Sequence, residues 1–395
     1  MSIAQPVGFL YSTASGGFRT VGRQDLALVL SAGPAATAGV FTRNLFKAAP
    51  VLVGQERIRE RRAGRAVLIN AGQANACTGE RGLADCRETL ALTASALDLA
   101  AEDILPASTG VIGAHLPMEK WRAAVPELAK NLGRAKLEDV AGAIMTTDAF
   151  PKFAGESARL AGGEIVLAGV AKGAGMICPQ MATMLSLVLC DALLAVEDWR
   201  DMLARAASAT FNRVSVDGDT STNDTLYGLA NGASGVRAES GADRRLVEEA
   251  LTRVLDKLAY MLVQDGEGAT KVLRIRVSGA SSAQEAEKAA RAVGHSQLVK
   301  TAMYGRDANW GRIVAALGRS GAVFAPEEVR ISLCGVELFR DERPVNPDAD
   351  ALLKDPMRER DLHLEIVLGR GEGGYTLLAS DLGHEYVNVN ADYRS

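Results

Sequence analysis

The sequence predicts an α/β protein of the α+β kind, with antiparallel or mixed sheets and helical layers. Three observations predict it. Several segments carry apolar residues at helical spacing, others alternate with period two, and the two kinds mix without the strand–helix–strand rhythm of a doubly wound parallel sheet. The 395 residues can bury a large core and predict two or three domains.

Among the helices, Trp199, Met202, Leu203, Ala206 and Phe211 fall near helical spacing after Glu197-Asp198. Leu246, Leu251, Val254, Leu255, Leu258 and Leu262 form a longer stripe, and Leu83 to Leu97 and Ala286 to Val293 read as two more helices. Strands are expected at Ala66–Asn70, Val272–Val277, Val329–Leu333, His363–Leu368 and Tyr375–Ala379. In the second of these, Leu273, Ile275 and Val277 alternate with Val272, Arg274 and Arg276, a pattern that suits a strand with one wet face. The glycine-rich patches at 231–242 and 369–374 read as exposed loops.

Composition excludes several classes. Hydrophobic residues make up 48%, charged residues 23%, and the net charge is −4, so the chain has no basic footprint for nucleic acid. The first residues lack a basic segment followed by an apolar core, and no run reaches the roughly 18 apolar residues of a membrane helix. Five scattered cysteines suit reduced thiols, so a cytoplasmic location without membrane partners is expected. Four isolated histidines make no zinc pattern, and no metal or bound cofactor is expected. Lys172-Gly-Ala-Gly175 lacks both the third glycine of a dinucleotide loop and the Gly-Lys-Ser/Thr of a phosphate loop. Asp217-Gly-Asp-Thr-Ser221 starts like a calcium loop but has Thr222 at the sixth position and Gly228 at the twelfth. Its clustered Asp, Ser, Thr and Asn side chains are better suited to fixing a turn.

The chemistry concentrates at residues 172–190. A glycine-rich, proline-bent loop delivers Met181-Ala182-Thr183, and Met184 to Leu189 is an apolar run ending at Cys190. Cut between Ala182 and Thr183, the chain would leave Thr183 with a free α-amine beside its own hydroxyl, one way to activate a threonine nucleophile. The bland account is a buried strand after a turn. By themselves, Ser108-Thr109-Gly110 after Pro106 read as a turn, and Asp265-Gly-Glu267-Gly reads as a solvated loop at a helix end.

The 172–185 segment resembles the autoprocessing site of the ornithine acetyltransferase family, the glutamate N-acetyltransferases of arginine biosynthesis. Similar blocks follow in family order: Gly39–Asn44, Asn70–Gly79, Ser108–Gly113, Ile144–Asp148, Asp217–Asp224, Gln264–Lys271, Gly305–Gly311 and Tyr386–Ser395. The resemblance implies an α/β sandwich formed jointly by two self-cleavage products, 1–182 and 183–395, which in the family assemble as two copies of each. It implies Thr183 as nucleophile, the Thr109 hydroxyl and Gly110 amide as oxyanion hole, Glu267 beside the nucleophile, and the Asp217–Asp224 block near the active site, which leaves a supporting role open to it. It further implies substrate contacts from Thr146 or Thr147, Lys172, Thr183, Glu267, Asn390 and Ser395. The expected substrates are N-acetyl-L-ornithine and L-glutamate, with acetyl-CoA as a conceivable second donor.

Two positions depart from the family pattern. Ser395 stands where threonine is common, keeping a hydroxyl, and Gln180 replaces the more usual asparagine ahead of the cleavage point. The rival reading is an amidohydrolase or aminopeptidase with the same threonine nucleophile, passing the acyl group to water. A third is an uncleaved binding protein, against which the intact reacting residues argue.

Overall fold

The computed structural model describes residues 3–18, 22–60, 63–178 and 184–392. Ala182, Thr183, Gln180 and Ser395 lie outside the described residues. The chain divides into two compact units, one formed mainly by residues 1–212 and 219–262, the other by 213–218 and 263–394. These units follow packing and do not coincide with the expected cleavage products, because strands from both sides of position 182 share one sheet.

The first unit begins with β1 (Phe9–Ala14), β2 (Leu26–Phe41), β3 (Ala63–Gln73) and β4 (Ile104–Val111). They are followed by β5 (Lys152–Leu160), β6 (Gly163–Lys172) and β7 (Leu185–Cys190). The two-residue β8 (Val214–Ser215) belongs to the other sheet, and β9 (Thr225–Ala230) returns to the first. The order across the first sheet is β4-β3-β2-β9-β7-β6-β5, with β1 also paired to β2. β3–β4 and β7–β9 are parallel and the other neighbours antiparallel, so the sheet is mixed as expected.

Period-two alternation along β2 sends Leu26, Leu28 and Leu30 to one face and Ala27 and Val29 to the other. The first face packs on α1 (Ala49–Glu60), α2 (Gly79–Leu97) and α3 (Met118–Lys130), through Val53, Leu90, Trp121 and Leu128. The opposite face packs on α4 (Leu137–Ala143), through Leu137 and Val140. α5 (Val196–Ala209) presses Trp199 to the backbone of Gly228, where a Cβ would come within 2.9 Å of the indole. α6 (Gly241–Gln264) buries Leu251, Val254, Leu255, Leu258 and Leu262 completely. Leu246 departs from the expected stripe: it is 38% exposed, and its neighbour Val247 is buried instead. Because both faces are covered, β7 and β9 are buried throughout, which is why apolar residues occupy both faces of each strand.

The second unit holds β10 (Val272–Ala280), β11 (Arg330–Leu333), β12 (Val336–Arg340), β13 (Arg343–Pro344), β14 (Asp361–Val367) and β15 (Gly373–Ser380). Its order is β13-β12-β11-β14-β10-β15-β8, again mixed, with β10–β14 and β15–β8 parallel. Leu273, Ile275 and Val277 face α7 (Ala283–Gly294), α8 (Gln297–Tyr304) and α9 (Trp310–Gly318) in one core. On the other face Arg276 and Glu365 are exposed side by side, the wet face that the alternation predicts, although Val272, expected on that face, is buried. α10 (Ala349–Leu353) and α11 (His384–Asp392) complete the unit. The five cysteines are free thiols. Among the described residues, no helix is long and apolar enough to cross a membrane.

Candidate active site

In the first unit, Lys172 ends β6 and Lys152 opens β5, so the β5–β6 hairpin brings two lysines to the same end of the sheet. Lys172 is 8% exposed, and its Nζ donates to Thr109 Oγ1 at 3.0 Å and to Thr146 Oγ1 at 2.8 Å. An ammonium group only donates, so both hydroxyl oxygens act as acceptors here and their hydrogens are turned away from the lysine. Thr147 is half-buried beside Thr146. The register pairs Lys172 with Leu185, two residues beyond Thr183 in sequence.

Buried charge at this end is balanced through Asp148. Its Oδ1 accepts from Lys152 Nζ at 2.7 Å and from Gly173 N at 2.6 Å, and its Oδ2 accepts from Thr146 N at 2.9 Å. Both side chains of the Lys152–Asp148 pair are fully buried. Burial alone would raise the Asp148 carboxyl, but Lys172, Lys152 and the Thr146 N–H outweigh it and hold it at about 2. Asp148 thus ties the Thr146 loop to the end of β6 that carries Lys172.

Thr109 and Gly110 are not a turn, as the bare sequence suggests, but the last part of β4, paired in parallel with Ala71 and Gly72 of β3. The parallel ladder overrides the local Ser-Thr-Gly signal. Gly110 has φ +131°, and a Cβ there would meet Gly72 C and come within 2.6 Å of Gln73 N. The crowding comes from β3, so glycine is required before any ligand is considered. Ser108 Oγ donates to Asn70 Oδ1 at 2.6 Å, holding the same strand end from inside.

In the second unit, Glu267 lies in the loop after α6, as expected for a helix end. Its Oε2 accepts from Asn390 Nδ2 at 2.7 Å, and the same amide donates to Tyr386 O at 2.9 Å. The adjacent Gly268, φ +69°, lets the loop abut α11, since a Cβ would come within 2.7 Å of Tyr386 N. The far side of the loop is anchored by Asp381, which accepts from Thr270 N, Thr270 Oγ1 and Lys271 N at 2.8, 2.5 and 3.0 Å. Nearby, Lys300 donates to Ser380 O and Oγ; burial pushes it down to about 8 against the pull of Asp381 and Asp217.

The first unit thus brings together Thr109, Gly110, Thr146 and Lys172, and the second brings together Glu267 and Asn390. Sequence reasoning did not single out Asp148, Lys152, Asn223 or Asp224. One signal was available: Lys172 closes the uncharged run from Ile165 to Ala171, and Lys152 follows an aspartate by four residues. A buried lysine that braces threonine hydroxyls beside a strand-end glycine suits reactions in which charge develops on a carbonyl oxygen, and acyl transfer is the class this geometry fits.

The chain belongs to the ArgJ family, whose model matches residues 10–395. It is 62% identical over 392 residues to the arginine biosynthesis bifunctional protein ArgJ of Nitratidesulfovibrio vulgaris, covering 99% of this chain and 100% of that one. It is 45% identical over 391 residues to the protein of the same name from Geobacter sulfurreducens, covering 98% and 99%. A solved ornithine acetyltransferase complexed with ornithine, from Mycobacterium tuberculosis, is 38% identical with a TM-score of 0.39, covering 45% of this chain and 94% of that chain.

Proposed function

We propose that this ArgJ-family acetyltransferase of arginine biosynthesis moves the acetyl group of N-acetyl-L-ornithine to L-glutamate through an acetyl-threonine at Thr183. The observation that carries the reading is the Lys172 ammonium donating to Thr109 and Thr146. It orients the Thr109 hydroxyl as a donor beside Gly110, as an oxyanion requires.

Maturation begins with the Thr183 hydroxyl attacking the Ala182 carbonyl. The carbon–nitrogen bond breaks as the acyl group passes to oxygen, and water then cleaves the ester into a 182-residue and a 213-residue chain. The freed amine of Thr183 takes the hydroxyl proton as Oγ attacks the acetyl carbon of acetylornithine. That proton passes to the departing ornithine nitrogen, leaving O-acetyl-Thr183. The glutamate amine attacks the ester, and its proton returns through the Thr183 amine to Oγ. Ping-pong kinetics follow. Thr109 and Gly110 hold the oxyanion in both halves. Lys172, Thr146 or Thr147, Glu267, Asn390 and Ser395 hold the amino-acid frame common to both substrates. A bound cofactor has no part in this scheme. Acetyl-CoA acts as a second donor, in keeping with the bifunctional designation of the relatives, and the enzyme works in the cytoplasm as two copies of each product chain.

The test is intact mass under denaturing conditions together with a labelled-acetyl assay. Scaling the 41.6 kDa chain by residue number gives pieces of about 19 and about 22 kDa if the nucleophile is released at Thr183. Thr183→Ala should leave one full-length chain and no transfer. Label on glutamate is the expected result, and label only in free acetate would replace the transferase with a hydrolase. A single full-length chain in an active preparation would overturn the mechanism.

A further inference from the structure

The segment Ser221–Thr225 takes no part in the scheme above, yet it grips both strands that the scheme needs. On one side, Asn223 Nδ2 donates to Ser108 O at 2.9 Å and to Ala74 O at 2.6 Å, and its Oδ1 accepts from Thr222 Oγ1 at 2.6 Å. Ser108 immediately precedes Thr109 and Gly110. On the other side, Met184 O accepts from Thr225 N at 2.9 Å, and the Asp224 carboxyl accepts from Met184 N. Met184 immediately follows Thr183. β4 and β7 are not neighbours: β3, β2 and β9 lie between them, so strand pairing gives no direct tie between their ends.

The remaining partners of Asp224 define its chemical form. Thr42 Oγ1 touches the carboxyl, but its single hydrogen is already given to Ser221 O at 2.8 Å. Thr42 Oγ1 also accepts from Asn44 N at 3.1 Å, which leaves a lone pair for one more donor. A protonated Asp224 carboxyl supplies that donor, and it also accepts from Met184 N–H and the Ser221 hydroxyl. We propose that Asn223 and Asp224 are positioning residues, a two-sided clamp in which Asp224 serves as a neutral carboxylic acid holding the start of the nucleophile strand against the oxyanion strand. Complete burial, the largest influence on this carboxyl, favours the uncharged form, with the Ser221 hydroxyl, Met184 N–H and nearby Lys172 pulling the other way.

The inference rests on the proposed function and makes an unusual demand: asparagine should replace this aspartate. In Asp224→Asn, Oδ1 accepts from Met184 N–H and Nδ2 donates to Thr42 Oγ1, reproducing the acid. The experiment compares the wild-type chain with Asp224→Asn, Asp224→Ala and Asn223→Ala, each scored by the fraction of uncleaved chain over time and by kcat and KM for acetyl transfer. The expected result is Asp224→Asn within about threefold of wild type. The two alanine variants should slow self-cleavage and kcat by about tenfold or more, with KM changed less than about threefold. Asp224→Asn as impaired as Asp224→Ala would overturn the neutral-acid clamp. Alanine variants that melt earlier but cleave and turn over normally below their melting point would overturn positioning in favour of a purely structural role. If the alanine variants do not fold, Asp224→Asn decides alone. A wild-type chain that neither cleaves nor transfers acetyl would count against the proposed function, not against the clamp.

Discussion

In the first unit the alternation along each central strand feeds two apolar layers, whereas in the second it separates one apolar layer from water. The consequence is electrostatic. On the second sheet Arg276 and Glu365 stand on the open face, where charge is well solvated and an ion pair contributes little. In the first unit a charge at a strand end has no such outlet, so Lys152 and Lys172 must be met by Asp148 and by threonine oxygens. Buried aspartates elsewhere in the unit, such as Asp25 and Asp191, are met by backbone N–H groups, whereas the buried lysines Lys152 and Lys172 lie where its candidate site residues do. The second unit shows the same habit in one place: Lys271, Lys300 and Asp381 are buried around the loop that carries Glu267.

This contrast can be tested from its strongest consequence downward. Lys152→Ala leaves Asp148 buried without its ion-pair partner and should destabilise the chain by about 3–5 kcal/mol, read as a lowered denaturation midpoint. Little change would mean that water reaches the pair and that the first sheet is less closed than described.

Acid should find the same site. The folded-state value of Asp148, about 2, lies below its ordinary 3.8. Its contribution is therefore complete above about pH 4 and lost as pH falls toward 2, on the order of 2 kcal/mol, and Asp148→Asn should flatten that limb of the stability curve.

Lys300 gives the same direction of slope in the second unit, at alkaline pH and for a different reason, since here burial disfavours the charged form. Its folded value near 8 is below the ordinary 10.5, so the unfolded chain binds more protons between those values and stability should rise with pH across that window. The slope is on the order of 1 kcal/mol per pH unit, and Lys300→Met should remove it. The smallest effect belongs to the wet face: Arg276→Ala should change stability by no more than about 0.5 kcal/mol. A larger loss would show that this face is covered in solution.

The periodicities were legible residue by residue. Leu251, Val254, Leu255, Leu258 and Leu262 in the helix, and Leu273, Ile275 and Val277 in the strand, are buried as their spacing requires, because helix and strand geometry decide which side chains share a face. Leu246 failed because it lies next to Val247 at the start of α6, and only the neighbouring elements select which of two adjacent apolar residues faces inward. The Asp217–Asp224 cluster was legible as a side-chain-fixed turn, and Asn223 N donating to Ser221 Oγ at 3.1 Å belongs to that pattern.

The longer reach of that segment was not legible. Asn223 meets a carbonyl 115 positions away in sequence, and Asp224 meets Met184 across the β7–β9 pair. Likewise Ser-Thr-Gly has a turn's local preference, and only the ladder with β3 makes it a strand end with a glycine that no other residue could replace. Composition, periodicity and motif order are properties of the chain and were sufficient for the fold class and the family. Which hydroxyl meets Lys172, which carboxyl is ionised and which is neutral depend on partners brought from distant positions and on how much water they exclude. Those are properties of the packed sheet.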